Sequence, residues 1–337
     1  MSASSGSRTA VIDIHAHYVN PSVIDAVRKS PETYGVRIEG RGNRKWFSFN
    51  GKNSRPFFRK MTDLNLRMVH MNDTGVDIEV LSTWVDLFGY ELPRAQSVAF
   101  CSVINDGLQK AVLRGKGRFR AIATLPLPHA KEAADVLEES VTEMGFAGAM
   151  IGTNVLEMNL DESFLEPLWT KAERLDVPIV LHPTMPKFGS RLSSHYLENL
   201  VGNPLDTTIA ATSLIFGGVL DRHPRLKIVL LHGGGYLPYG FGRLDHGFDV
   251  RQECGTAAGN HPSHYLRKFY YDTVIYDKNA LKYLAGIAGR RNLLLGTDCP
   301  FDMELPDPVA FVKTALPFHE SVLHSNAERL FKLKSNG

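Results

Sequence analysis

The chain has 337 residues, 43% of them hydrophobic and 22% charged, with a formal net charge of +2. That is enough apolar material for a large core, without the basic excess that a nucleic-acid surface needs. No stretch is long and apolar enough to span a membrane, and Cys101, Cys254 and Cys299 are too scattered for a CxxC pair or a disulfide scaffold.

The amino terminus, MSASSGSR, is polar and lacks the apolar region of a secretory signal, so a cytoplasmic location is expected. Strand-like apolar runs then recur along the chain, at 10–14, 76–81, 119–125, 146–151, 177–181, 228–231, 269–274 and 293–295. Several are apolar on both faces, as buried parallel strands are. Helical patterns separate them. They fall at 95–113, from His129 to a closing Gly145, at 161–175 with Asp161 or its neighbour as cap, and at 205–220, 279–288 and 309–316. A last helix over 319–333 carries an apolar stripe of Leu323, Ala327, Leu330 and Phe331 and is expected to seal the fold.

Eight strands with helical crossovers predict an α/β fold, one (β/α)8 TIM barrel over 1–337. The competing doubly wound sheet lacks its GxGxxG after the first strand. Residues 20–70 break the rhythm with Pro21, Pro31, Gly35, Gly40, Gly42, Gly51 and Pro56. They are expected to form a small insertion after the first strand, over the face where barrel active sites lie. Its basic group Arg37, Arg41, Arg44 and Lys45, beside Trp46 and Phe47, reads as a solvated loop. Lys52 and Arg55, in NGKNSRPFF, are its substrate candidates, with solvated loop charges as the ordinary alternative.

Of the 13 histidines, four directly follow strand-like runs: His15, His17, His182 and His232. Asp298 follows the eighth run in LLLGTD. His15 and His17 are two apart, so a strand points both to one face. Parallel strands of a barrel share one carboxyl rim, so all five side chains can meet in one cavity. Three imidazoles and a carboxylate suit a borderline Lewis acid such as Zn²⁺, with Mn²⁺ or another divalent ion as alternatives. His15, His17, His182 and Asp298 are therefore expected as ligands of one ion, with a further position for water or substrate. His232 is either a fourth nitrogen ligand or, preferred here, an acid/base beside the metal. Gly233, Gly234 and Gly235 would let the backbone approach a ligand. The fourth strand end offers Met150, Ile151 and Gly152, with no bridging lysine or glutamate, so the centre reads as mononuclear. Arg243 and Arg251 lie eight apart, about two helical turns, and could grip a carboxylate from one helix face. On pattern alone, pairing with Asp245 and Asp249 is the better reading.

The ordered strings IDIHAH, VLHP, LLHGGG and GTDCPF resemble the amidohydrolase superfamily. More narrowly they resemble its branch of 2-amino-3-carboxymuconate 6-semialdehyde decarboxylase-like enzymes. GKNSRPF, GVDIEVLST, HGGGYLPYGFGRLD, HPSHYLRKFYYDT and HSNAERLF extend the likeness over nearly the whole chain. The resemblance implies a barrel with an insertion and one divalent metal, commonly zinc, on His15, His17, His182 and Asp298. It makes His232 the catalytic acid/base and Lys52 a substrate-side residue, with Arg55 a looser match. It makes Arg243 and Arg251 carboxylate-gripping residues that reach a neighbouring subunit's site, hence a homodimer. The implied reaction is non-oxidative decarboxylation of an unsaturated or aromatic acid, with hydrolysis or hydration at the same centre as the alternative. HPTMPKFG, and Cys299 in GTDCPF where tyrosine is more typical, depart from the decarboxylase pattern.

Overall fold

The computed structural model describes residues 9–42, 44–49, 51–184, 188–255 and 257–333. The MSASSGSR terminus and residues 185–187 of HPTMPKFG lie outside them. Eight parallel strand positions form the barrel. In chain order they are β1 (Ile12–His17), β2 (Ile78–Ser82), β3 (Phe119–Ala121, resuming at Ala123–Thr124), β4 (Ala149–Gly152), β5 (Pro178–His182), β6 (Lys227–Leu230), β7 (Tyr270–Asp272) and β8 (Leu293–Leu294). β1, β2 and the first part of β3 pair in one ladder, and the rest of β3 through β8 pair in another. The two are stitched at the break in β3, where Ile122 donates to the Leu81 carbonyl at 3.0 Å. They are closed at the other seam by Ile14 N–H to the Leu295 carbonyl, 2.9 Å, and Asp298 N–H to the His15 carbonyl, 2.9 Å. Among the described residues no edge of the barrel wall is left open, as a (β/α)8 barrel requires.

The strand ends differ from the sequence reading in one consistent way. The first run was expected to stop at residue 14, where the apolar stretch stops, yet β1 continues through both histidines and all six of its residues are buried. β5 likewise ends on His182, not before it. Inside a barrel these polar residues face the enclosed axis, so polarity does not terminate the strand.

The helices follow the expected places with local corrections. Asp161 caps nothing. A 3₁₀ turn at Ser163–Leu165 leads into the helix Glu166–Leu175, neither with a side-chain cap. Asp161 packs instead against Gly217, where an added Cβ would stand 2.3 Å from it. The helix expected over 205–220 breaks there, into Asn203–Phe216 and Val219–Arg222, with Gly218 at φ +68°. The helix after His129 ends at Thr142, before Gly145. The carboxy-terminal segment begins as a π-turn, Ser321–Ser325, and continues as the helix Asn326–Phe331. It seals the barrel seam: His324 Nδ1 bonds the Ala10 carbonyl at 2.7 Å and Asn326 Nδ2 the Leu293 carbonyl at 2.9 Å.

Between β1 and the helix Leu64–Thr74 the chain builds a second, antiparallel sheet. Val36–Arg41 pairs with Arg44–Phe49, which pairs with Lys52–Asn53. Val36, Phe47 and Phe49 are buried, with the Phe49 ring 5.6 Å from that of Phe100. The basic group is thus a hairpin, not a loop, because alternation buries one face and leaves Arg37, Arg41 and Arg44 exposed. Among the described residues, no helix is long and apolar enough to cross a membrane.

Candidate functional site

His15 and His17 project from β1 into the barrel mouth, and both are fully buried. Their ring centroids lie 5.1 and 4.9 Å from that of His182. Asp298, just past β8, completes the group: its Oδ1 is 3.3 Å from Nε2 of both His15 and His17. Its Oδ2 faces His232 Nε2 at 3.7 Å. His15, His182, His232 and Asp298 offer ligand atoms that all lie within 4.8 Å of one another.

Each β-strand imidazole is fixed from behind. His15 Nδ1 donates to Asp272 Oδ2 at 2.7 Å, His17 Nδ1 to the Thr83 carbonyl at 2.9 Å, and His182 Nδ1 to the Pro183 carbonyl at 2.6 Å. Those bonds put the proton on Nδ1 and leave each Nε2 lone pair aimed at the centre. The Nε2 atoms of His15, His17 and His182, together with Asp298 Oδ1, are buried without a hydrogen-bond partner. Four orphaned acceptors converging on one point are expensive unless something cationic sits among them. The donor set therefore fits a divalent metal ion.

The electrostatics agree. Burial raises the Asp298 carboxyl, but the surrounding histidines, His15 first, outweigh it and hold it well below the usual range. Burial also holds His17 low and His182 far lower, so both stay neutral. At His15 burial is outweighed by Asp298 and Asp272, which push it up to about 10. Without an ion those carboxylates hold a second proton on His15, at Nε2 toward Asp298; a bound cation would replace that proton and free the lone pair.

Two of the residues here have left-handed backbones, His232 at φ +54° and Asp298 at φ +66°. Such conformations cost about 1–3 kcal/mol each for non-glycine residues and persist only where the surroundings impose them. Asp298 is held by its bond to the His15 carbonyl, and the next residue's carbonyl accepts the His17 N–H at 2.8 Å. His232 is held by the turn after β6, where Gly233 N–H donates to Asp272 Oδ1 at 2.8 Å. The glycines make room for neighbouring protein atoms. A Cβ on Gly235, at φ +62°, would stand 2.0 Å from the Pro204 carbonyl oxygen.

Arg55 reaches the same cavity. It pairs twice with Asp86, Nε to Oδ2 at 3.0 Å and Nη2 to Oδ1 at 2.8 Å, and lies over the rings of Trp84 and Phe301. It lines an inner cavity with His182, Asn203, His232 and Asp298, and a vestibule of about 580 Å³ outside it with Trp84, Tyr196 and Phe301. That volume accommodates a small organic acid.

The remaining sequence candidates lie elsewhere. Lys52 is largely exposed and pairs with Glu91 at 2.8 Å. Arg243 is exposed on the helix Leu237–Val250. Arg251 lies just past that helix, at φ −123°, so the two do not share a helix face, and it pairs with Glu253. The expected pairing with Asp245 and Asp249 is not made. Asp245 accepts from Ser263 N–H at 2.8 Å and Asp249 contacts His261 at 2.7 Å.

Sequence reasoning missed Asp272, Asp86 and Asn203. Asn203 Oδ1 is buried and unpartnered beside the inner cavity. Asp272 was hidden in FYYDTV, although a carboxylate closing the seventh strand obeys the same rim logic that singled out Asp298.

Comparison with known proteins agrees with this geometry. Residues 12–333 match the family model described as Amidohydrolase. The chain is 31% identical over 335 residues to 2-amino-3-carboxymuconate-6-semialdehyde decarboxylase of Dictyostelium discoideum, covering 98% of this chain and 93% of that one. In fold it is similar to 5-carboxyvanillate decarboxylase of Sphingomonas paucimobilis, with a TM-score of 0.82, 24% identity, and coverage of 97% and 100%. It is also similar to a manganese-bound dihydroxybenzoic acid decarboxylase from Polaromonas sp. JS666, with a TM-score of 0.78, 23% identity, and coverage of 96% and 97%.

Proposed function

The chain belongs to the amidohydrolase family, and from that premise we propose that it is a metal-dependent, non-oxidative decarboxylase of an unsaturated or aromatic carboxylic acid. The observation that carries the reading is one cavity holding both a metal-fitting cluster and the guanidinium of Arg55. At its base His15, His17, His182 and Asp298 would hold one divalent ion, with His232 close enough to His15, His182 and Asp298 to be the competing ligand. The borderline donor set favours Zn²⁺, with Mn²⁺ the alternative. The bound ion supplies Lewis acidity toward a substrate oxygen or a water.

The chain's own residues do the rest. Arg55, already oriented by Asp86, keeps donors free to bind the substrate carboxylate. Trp84 and Phe301 offer apolar faces to the ring or diene. His232 is the acid/base: its side chain is 14% exposed, where those of His15 and His17 are sealed, so it meets the cavity. It delivers a proton to the carbon that bears the carboxylate, forming a C–H bond. Cleavage of the C–C bond then returns its electron pair to the unsaturated system and releases CO₂. The reaction needs no oxidant. Water exclusion around that carbon favours loss of the carboxylate charge.

On the family resemblance, Lys52 is a further substrate-side cation and the protein is a cytoplasmic homodimer. Arg243 and Arg251 then reach the neighbouring copy's site. Their exposure, beside Tyr239 at 86% and Val250 at 58%, supports that surface as the contact.

The test is CO₂ release by metal-loaded protein from a panel of aminocarboxymuconate semialdehyde and hydroxylated aromatic acids, with chelator controls. Chelator-sensitive CO₂ from one acid is expected. A product carrying one added water, with no CO₂, would replace this reading with hydration or hydrolysis. On the productive acid, Arg55→Ala should lower kcat/KM roughly 10- to 100-fold, mainly through KM, the scale of one charge-assisted bond. Steady-state kinetics at equal metal content check this, and an unchanged KM would remove Arg55 from the binding site.

A further inference from the structure

A second group of metal-ligating side chains draws on the segment that follows Asp298. His70, Cys299 and Glu304 place Nε2, Sγ and a carboxylate oxygen within 4.8 Å of one another. His70 comes from the helix Leu64–Thr74, and Cys299 and Glu304 from the segment after β8. His70 Nε2 is 3.4 Å from Glu304 Oε1, while Glu304 Oε2 is buried and has no hydrogen-bond partner. Against burial, His70 and the Cys299 thiol both help hold the Glu304 carboxyl below its usual range, so the three side chains face one another.

The group is reachable. A pocket of about 250 Å³ opens onto His70 and Cys299, while Glu304 lines the vestibule outside the Arg55 cavity. Arg67 Nη1 donates to Cys299 Sγ at 3.7 Å and pairs with Glu79 at 2.9 Å, and Lys60 stands at the pocket lining. Sulfur, imidazole nitrogen and carboxylate oxygen together are a donor set for a borderline cation, not for Mg²⁺ or Ca²⁺.

We infer that His70, Cys299 and Glu304 form a second, solvent-open site for a divalent cation of the Zn²⁺ class, separate from the centre at Asp298. It shares no ligand with that centre, yet is tied to it. Cys299 directly follows Asp298, and its carbonyl accepts the His17 N–H.

The two sites differ in a way that needs no substrate to observe. The first has only nitrogen and oxygen donors, whereas the second has sulfur. Chelator-stripped protein titrated with Co²⁺ should take up two ions per chain, one of them with a near-ultraviolet sulfur-to-cobalt charge-transfer band. Cys299→Ser should abolish the band and keep one ion. His70→Ala should weaken the band-forming uptake by more than the roughly 10- to 100-fold that loss of an outer partner causes. His182→Ala should impair the other uptake and keep the band. His70 is partly exposed, so its variant serves if Cys299→Ser fails to fold. Uptake of one ion without the band, a band that survives Cys299→Ser, or unchanged affinity in His70→Ala would overturn the site.

Discussion

Replacing His232 with alanine is expected to reduce turnover by roughly 10²- to 10⁴-fold, the usual contribution of a positioned acid/base, while the metal stays bound. The split follows from geometry. Asp298 Oδ1 faces His15 and His17 while Oδ2 faces His232, so His15, His17, His182 and Asp298 would leave the ion four donors without His232, even though His232 lies within 4.8 Å of three of them. Metal content by elemental analysis and kcat on the productive acid decide the matter together. Retained metal with lost turnover supports the acid/base role. Metal lost in parallel with turnover would make His232 a ligand, and full activity would exclude it from both roles.

This separation of duties depends on backbone that the protein forces into place. His232 is not on a strand: β6 ends at Leu230, and the histidine sits two residues on, in a left-handed turn. The turn cannot relax, because Gly235 runs against the Pro204 carbonyl and Gly233 is hydrogen-bonded to Asp272. The strain is the means by which a side chain outside the strands is brought to face Asp298.

Much of this centre is legible in the sequence because a barrel converts chain order into a ring. A polar residue at the end of an apolar run must lie on the rim, so His15, His17, His182 and Asp298 could be placed without coordinates. The rule fails where a residue's meaning comes from its neighbour. Asp272 ends a short strand rich in aromatics and looks like an incidental core carboxylate. Only with β7 beside β6 does it reach both His15 and the Gly233 amide. Within the insertion, the basic stretch read as loop for a different reason. Its glycines suggested loop, but Gly40 and Gly42 adopt positive φ at the end of a hairpin whose buried face is Val36, Phe47 and Phe49. Arg251 illustrates the limit of spacing arguments: eight residues make two turns only if the helix continues, and this one stops at Val250.

Asp272 also gives the sharpest test of how the centre is preorganised. Its Oδ2 accepts the His15 Nδ1 proton, and its Oδ1 accepts the amides of Gly233 and Val274, at 2.8 and 3.3 Å. In Asp272→Asn, one oxygen remains for the Gly233 amide, so the turn bearing His232 should survive. The amide nitrogen then faces His15 Nδ1, donor against donor. His15 must move its proton to Nε2 or swing away, and either change removes a ligand lone pair. Metal affinity should fall at least roughly 10- to 100-fold, the scale seen when an outer partner of a ligating histidine is lost, with little change in Tm. Asp272→Ala removes both acceptors. It should lose the same affinity and a further ~1–3 kcal/mol of stability, because the buried Gly233 amide is left unpaired, and the loosened turn should lower kcat even at saturating metal. Chelator competition and thermal denaturation of the two variants separate these effects. Unchanged metal affinity in Asp272→Asn would mean that β1 and its neighbours orient His15 unaided.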